Sequence, residues 1–189
     1  KSVELADFHQ VLAADSALSG TGDEPAAVVT GQPITVSLAV EAAAPGAGLP
    51  SGSVLVDSGA GSCTAVLVDG AGTCELVASA AGFLELNLAY SGDGKFNASS
   101  SLFAGPEVAP AETTTSLSSS APSAVYGQPV YLTAQVAVNA PGAGTPAGTV
   151  QFYLNGIEFG SPAPVVGGSA ESMSLANLGE GSYTVMAAY

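Results

Sequence analysis

Gly31-Gln32-Pro33-Ile34-Thr35-Val36-Ser37-Leu38-Ala39-Val40 is answered 96 positions later by Gly127-Gln128-Pro129-Val130-Tyr131-Leu132-Thr133-Ala134-Gln135-Val136. The recurrence does not stop there. Pro45-Gly46-Ala47-Gly48 returns as Pro141-Gly142-Ala143-Gly144, and Pro50-Ser51-Gly52-Ser53-Val54 as Pro146-Ala147-Gly148-Thr149-Val150, both at the same offset. The run from Gly82 to Ala89-Tyr90 matches Gly181 to Ala188-Tyr189 at an offset of 99, so a small length difference falls mid-domain. Ordered matches with one short insertion mark a duplicated unit, and their spacing is that of a small β-sandwich rather than of a solenoid repeat.

Within each copy the apolar residues keep a period of two. Ile34, Val36, Leu38 and Val40 alternate with Thr35, Ser37 and Ala39, and Val130, Leu132, Ala134 and Val136 repeat the pattern. Such alternation makes strands with one buried and one wet face. Asp69-Gly70, Ser91-Gly92-Asp93-Gly94, Asn155-Gly156 and Gly167-Gly168 punctuate the strands as turns. The expected fold is all-β: two tandem immunoglobulin-like antiparallel β-sandwich domains. The boundaries read as an N-terminal segment 1–15, a first domain 16–103, a Pro-rich linker 104–112 and a second domain 113–189.

Composition narrows the function. Gly and Pro supply 24 and 12 of the 189 residues, too many for long helices. Sixteen acidic side chains face two basic ones, Lys1 and Lys95, for a net charge of −14. A nucleic-acid partner needs a basic surface, so none is expected. No apolar run reaches the roughly 18 residues of a membrane span, so no membrane insertion is expected. The catalytic inventory is thin. His9 is the one histidine, and no nucleophile and base stand in a recurring motif, so the expectation is no enzyme, no catalytic residues and no metal site. The carboxylates most open to calcium are the loop residues Asp57, Asp69 and Asp93. No EF-hand spacing accompanies them, and turn chemistry explains Asp69-Gly70 and Asp93-Gly94 without a cofactor. Asn97-Ala98-Ser99 has the form of a glycosylation sequon.

Cys63 and Cys74 stand eleven positions apart, a spacing unlike a zinc pair. Either they form a local disulfide, which fits an oxidising compartment, or they are two buried thiols. A tight hairpin at Asp69–Gly72 places Cys74 opposite Leu67, so a bridge requires a bulge or a Cys63 outside the paired strand.

Thr113-Thr114-Thr115-Ser116-Leu117, Gly127-Gln128-Pro129-Val130, the run Pro146–Tyr153, Gly181–Val185 and Ala188-Tyr189 together resemble the bacterial Ig-like domains of the group 3 type. In the first copy, Ala89–Asp93 and Phe96–Ser100 look like that family's last two strands. The resemblance implies tandem modules of surface proteins, serving as stalks, spacers or adhesive tips, with the Cys63 and Cys74 pair resembling a variant of the repeat. It implies an extracellular or cell-surface location. Partners would be neighbouring Ig-like domains, identical subunits, or a surface ligand or glycan. Tyr183 sits where a sandwich places a corner tyrosine, with its hydroxyl bonding back to the backbone.

The copies differ at one end. After Ala89-Tyr90 the first continues through Ser91–Phe103, enough for a further strand, whereas the second reaches Tyr189 without one. Lys1–Asp15 meanwhile carries Val3, Leu5, Phe8, Val11 and Leu12. Two readings compete: an excerpt of a longer array whose upstream repeat ends in this segment, or strand donation from these residues to the second domain of another subunit. The structural reading is a rod-like stalk or filament subunit; the alternative is an adhesin or carbohydrate-binding accessory module, with Tyr131, Phe152, Tyr153 and Phe159 as its aromatic candidates.

Overall fold

The computed structural model describes residues 11–21 and 28–189. Val3, Leu5, Phe8 and His9 lie outside the described residues. Backbone contacts divide the chain into two units, Lys1–Pro110 and Ala111–Tyr189.

Unit one contains β1 (Ser16–Thr21), β2 (Val28–Val29), β3 (Pro33–Ala42), β4 (Gly52–Asp57), β5 (Ser62–Leu67), β6 (Ala71–Val77), β7 (Gly82–Tyr90) and β8 (Ser99–Ala109). They form a three-stranded sheet, β1-β3-β6, and a five-stranded sheet, β2-β8-β7-β4-β5. Every pairing is antiparallel except β2 with β8, where Val28 lies opposite Val108 and Val29 opposite Ala109. The period-two residues of β3 turn Ile34, Val36, Leu38 and Val40 inward. They share one core with Val54, Val56, Ala65, Leu67, Leu76, Leu86, Leu88 and Tyr90. A fully buried Leu or Val side chain contributes about 1.5–3 kcal/mol, so this shared face is what holds the two sheets together.

Unit two repeats the plan with β9 (Thr113–Ser119), β10 (Leu132–Val138), β11 (Thr149–Leu154), β12 (Ile157–Pro164), β13 (Ser169–Glu171) and β14 (Val185–Ala188). Its sheets are β13-β10-β9 and β12-β11-β14. Val130, Leu132, Ala134, Val136, Val150 and Phe152 lead its core. The duplication is visible in the backbone as well. Gly31 and Gly127 have φ of 86° and 84°, Gly70 and Gly168 both 80°, and the peptide bonds Ala44-Pro45 and Ala140-Pro141 are both cis.

The apparent obstacle to the disulfide disappears in this topology. Asp69 and Gly70, at φ 53° and 80°, turn the chain in the mirror-image geometry that suits a hairpin, and Val68 pairs with Ala71. Beyond that single pair the strands part. β5 joins β4 in one sheet and β6 joins β3 in the other. Cys63 and Cys74 therefore face each other across the sandwich, with Cα atoms 5.9 Å apart and sulfurs bonded. The bridge staples the two sheets, with neither a bulge nor an unpaired Cys63. Unit two has no such staple: Phe159 stands opposite Phe152 where Cys63 stands opposite Val56. Ser172 takes the place of Cys74, and its buried hydroxyl accepts from Leu132 N–H at 3.0 Å.

The linker reading of 104–112 needs correction. β8 continues to Ala109, with Ala104 opposite Glu85, Glu107 opposite Phe83, and Val108 buried. Gly105 and Pro106 fall in the register shift between Phe83 and Glu85, where the ladder is already interrupted and the missing proline N–H is harmless. Only Pro110, Ala111 and Glu112 separate β8 from β9. The first strand of unit one also pairs normally. Ser16 lies opposite Ala42, just as Thr113 lies opposite Val138.

Among the described residues no strand pairs with the second edge of β14, the edge that β8 covers on β7 in unit one. Tyr90 is 2% exposed and its counterpart Tyr189 47%.

A disulfide closing a loop of this size stabilises by about 3 kcal/mol. Reduction, or the pair Cys63→Ser and Cys74→Ser, is expected to lower the calorimetric transition of unit one while leaving that of unit two in place. Equal movement of both transitions would contradict a staple confined to unit one.

Candidate functional site

A dense polar arrangement gathers where β7 turns into β8. The chain leaves Tyr90 through Ser91-Gly92-Asp93-Gly94-Lys95 and returns at the buried Phe96. Gly92 is required: its φ is 80°, and a Cβ there would stand 2.8 Å from the Phe96 carbonyl oxygen. Asp93 organises the loop. Its Oδ1 accepts from the N–H groups of Lys95 at 2.7 Å and Phe96 at 2.9 Å. Its Oδ2 accepts from Ser51 N–H at 2.9 Å and Ser51 Oγ–H at 2.7 Å. The Tyr90 hydroxyl donates to the Ser51 carbonyl at 2.8 Å, so Ser51 is held from both sides.

The electrostatics follow from these bonds. The Lys95 N–H and the two Ser51 donors hold the Asp93 carboxyl well below the ordinary carboxylate range. Burial, reinforced by the Asp93 charge, pushes the Tyr90 phenol above its usual value. Four donors occupy the carboxylate, so it is a structural clasp with no lone pair directed at a ligand. Unit two keeps half of it: Tyr189 donates to the carbonyl of Ala147, which stands where Ser51 does.

The other calcium candidates are dispersed. Asp57 caps the turn after β4, accepting from Gly59 N–H at 2.8 Å. Asp69 is a hairpin residue at the far end of β5, about 20 Å away along a six-residue strand. Among the described residues no three His, Cys, Asp or Glu side chains come together. Asn97 of the sequon is also engaged, donating from Nδ2 to Asp15 Oδ1 at 2.9 Å.

Val11 and Leu12, the described members of the suggested donor set, are 93% and 73% exposed and belong to no strand. Tyr183 donates to the Gly179 carbonyl at 3.0 Å. The four aromatic candidates form no exposed row, because Phe152 is buried and Phe159 packs against the second core. Among the described residues the most exposed rings are Phe83 and Tyr126. Phe83 borders an open groove of about 260 Å³ with Ser58, Ala60, Ser79, Glu85 and Asn87. Its exposure was available from alternation, since it neighbours Leu84 out of phase with Leu86 and Leu88. The partnership of Asp93 with Ser51 had no local signal.

A depressed carboxyl stabilises the fold above its ordinary value of 3.8, and that contribution fades as pH falls beneath it. Asp93→Asn is therefore expected to lower the urea midpoint of unit one at pH 7, and the gap to wild type should close only in stronger acid. An equal gap at pH 7 and pH 2 would refute the clasp. Tyr90→Phe, which strands the Ser51 carbonyl, should cost about 1 kcal/mol, and Tyr189→Phe less because water reaches its acceptor.

Known proteins place this arrangement in context. The family described as bacterial Ig-like domain (group 3) matches residues 21–105 and again 117–189. No curated protein matches the chain in sequence. Among solved structures, the fibronectin(III)-like modules of Clostridium thermocellum CbhA align at 17% identity over 90% of this chain and 85% of that one. Their TM-score of 0.29 is too low to bear on fold or function. The two family matches cover both sandwiches and the motifs that build them: the chain belongs to the bacterial Ig-like domains of group 3, present as a tandem pair.

Proposed function

We propose that the chain is a non-catalytic extracellular spacer, a pair of Ig-like modules within a surface stalk or filament. The observation that carries this reading is how little free chain joins the modules. β8 is paired to its end at Ala109, where Thr30 N–H donates to the Ala109 carbonyl at 2.9 Å. Unit two has already taken hold at Glu112, whose carbonyl accepts from Asn139 N–H at 2.8 Å. Ala111 fits where Gly142 has no side chain, since a Cβ there would stand 2.5 Å from Ala111 Cβ. The inter-sheet disulfide supports an oxidising, extracellular setting.

Surface labelling tests the reading. On cells that make the protein, an antibody raised against the pair is expected to bind before the cells are permeabilised, and protease added outside is expected to remove that signal. Binding only after permeabilisation would overturn it.

A second reading, assembly by strand addition, is favoured by the open side of unit two. Val125 and Tyr126 are exposed, whereas their counterparts Val29 and Thr30 meet β8 in unit one. Gln128 bonds Val125 as Gln32 bonds Val29, so the backbone there is set for a strand alongside. The segment Lys1–Asp15 of a second subunit is the candidate strand for this slot. Concentration-dependent assembly that disappears when residues 1–12 are deleted supports donation; a monomer at every concentration rules it out.

A further inference from the structure

We infer that unit one carries a site for a neutral glycan, in the groove that Phe83 borders together with the turn after β4. The inference goes beyond the spacer reading, and neither rests on the other. Phe83, Glu85 and Asn87 follow one another along the outer face of β7, all exposed and about 7 Å apart in succession. Phe83 is the most open of them on the ring side, at 84% exposed. Ser58 and Ala60 line the groove from the β4–β5 turn, and Ser79 lines it from the β6–β7 connection. The turn is fixed before any ligand arrives. Ser58 N–H donates to the Gly61 carbonyl at 2.9 Å, and Asp57 Oδ1 accepts from Gly59 N–H. The Ser58 hydroxyl donates to the same Gly61 carbonyl, which leaves its own oxygen as an acceptor.

Chemistry selects the ligand. A sugar ring has an apolar C–H face and a rim of hydroxyls. Phe83 offers a flat apolar platform to the face, while Glu85, Asn87, Ser58 and Ser79 offer acceptors and donors to the rim. At about 260 Å³ the groove is smaller than the roughly 300–1,000 Å³ that encloses a drug-sized molecule. Being open as well, it suits one or two residues of a longer sugar chain. An anion is disfavoured, because no basic residue lines the groove and the chain carries a net charge of −14. An ammonium group is disfavoured too. A cation over one exposed ring gains only about 0.5–1 kcal/mol, and no second ring lines the groove to complete a cage. The duplication isolates these positions: at the offset of 99, Phe83, Glu85 and Asn87 correspond to Ser182, Thr184 and Met186. Unit two therefore lacks the ring, the carboxylate and the amide, and is the control within one molecule. The site uses none of Tyr131, Phe152, Tyr153 and Phe159, all of which belong to unit two.

Nuclear magnetic resonance of the full chain tests the site, with short neutral hexose and N-acetylhexosamine oligosaccharides as probes at millimolar concentration. At least one probe is expected to shift the amides of Phe83, Glu85, Asn87 and the Ser58–Ala60 turn, while β14 of unit two stays unmoved. Phe83→Ala should weaken that binding about tenfold, and Phe83→Tyr should preserve it. Because Phe83 is exposed, Phe83→Ala should leave the thermal transition of unit one in place, so lost binding reports the site and not the fold. High salt should leave the affinity for a neutral ligand unchanged. Shifts from none of the probes, or the same affinity after Phe83→Ala, would overturn the inference. So would Phe83 signals that move on dilution of the chain alone, marking a second copy as the occupant, or that respond only to tetramethylammonium, marking a cation. Surface labelling reads location alone, so the spacer reading and this inference fail separately.

Discussion

Ile34, Val36, Leu38 and Val40 on β3 share one core with Val54, Val56, Leu86 and Leu88 of the opposite sheet, and this face-to-face burial is the contact on which the rest depends. Period-two strands cannot hide their apolar side alone; they need a second sheet about 10 Å away. Once that pairing exists, the chain must cross between layers repeatedly, and each crossing needs a tight turn. The repeated glycines and cis-prolines are the residues at these crossings. Their recurrence at matching φ in both units shows that the duplication preserved turn geometry along with core positions.

The two units solve one packing problem differently. Where unit one spans the gap between sheets with Cys63 and Cys74 beside Val56, unit two fills it with Phe152 and Phe159. Two aromatic rings bring more buried area than a valine and a bridge, so the second unit holds its sheets by volume and the first by a covalent tie. The hydroxyl of Ser172 survives burial because it accepts from Leu132 N–H and donates to the Met173 carbonyl. A buried polar group without such partners would destabilise the site.

Fold class, duplication and the inward residues of β3 and β10 were legible because alternation and turn glycines are local signals that survive without tertiary knowledge. Three things were not legible, each for a physical reason. Gly105-Pro106 reads as linker, yet a bulge absorbs both residues and the strand runs on. The Cys63–Cys74 register misleads because hairpin arithmetic assumes that both strands stay in one sheet, and here they part after one pair. Ser51 and Asp93 meet across 42 positions, and only the folded β7–β8 loop brings them together.

The Asp93 clasp also bears on how the acidic turns of this chain work. In isolation, Ser91-Gly92-Asp93-Gly94 has the look of a cation loop, since short acidic turns supply oxygen ligands. In place, each carboxylate oxygen already receives two donors, and the depressed acidity of the group is the result of those bonds. A perturbed carboxylate signals function only when something other than its own loop accounts for the perturbation. Here the backbone and Ser51 account for it. The loop that Asp93 fixes also presents Lys95, Phe96 and Asn97 to the incoming residues Ala14 and Asp15. The acidic motif thus acts through position: it shapes the surface against which the incoming chain is fastened.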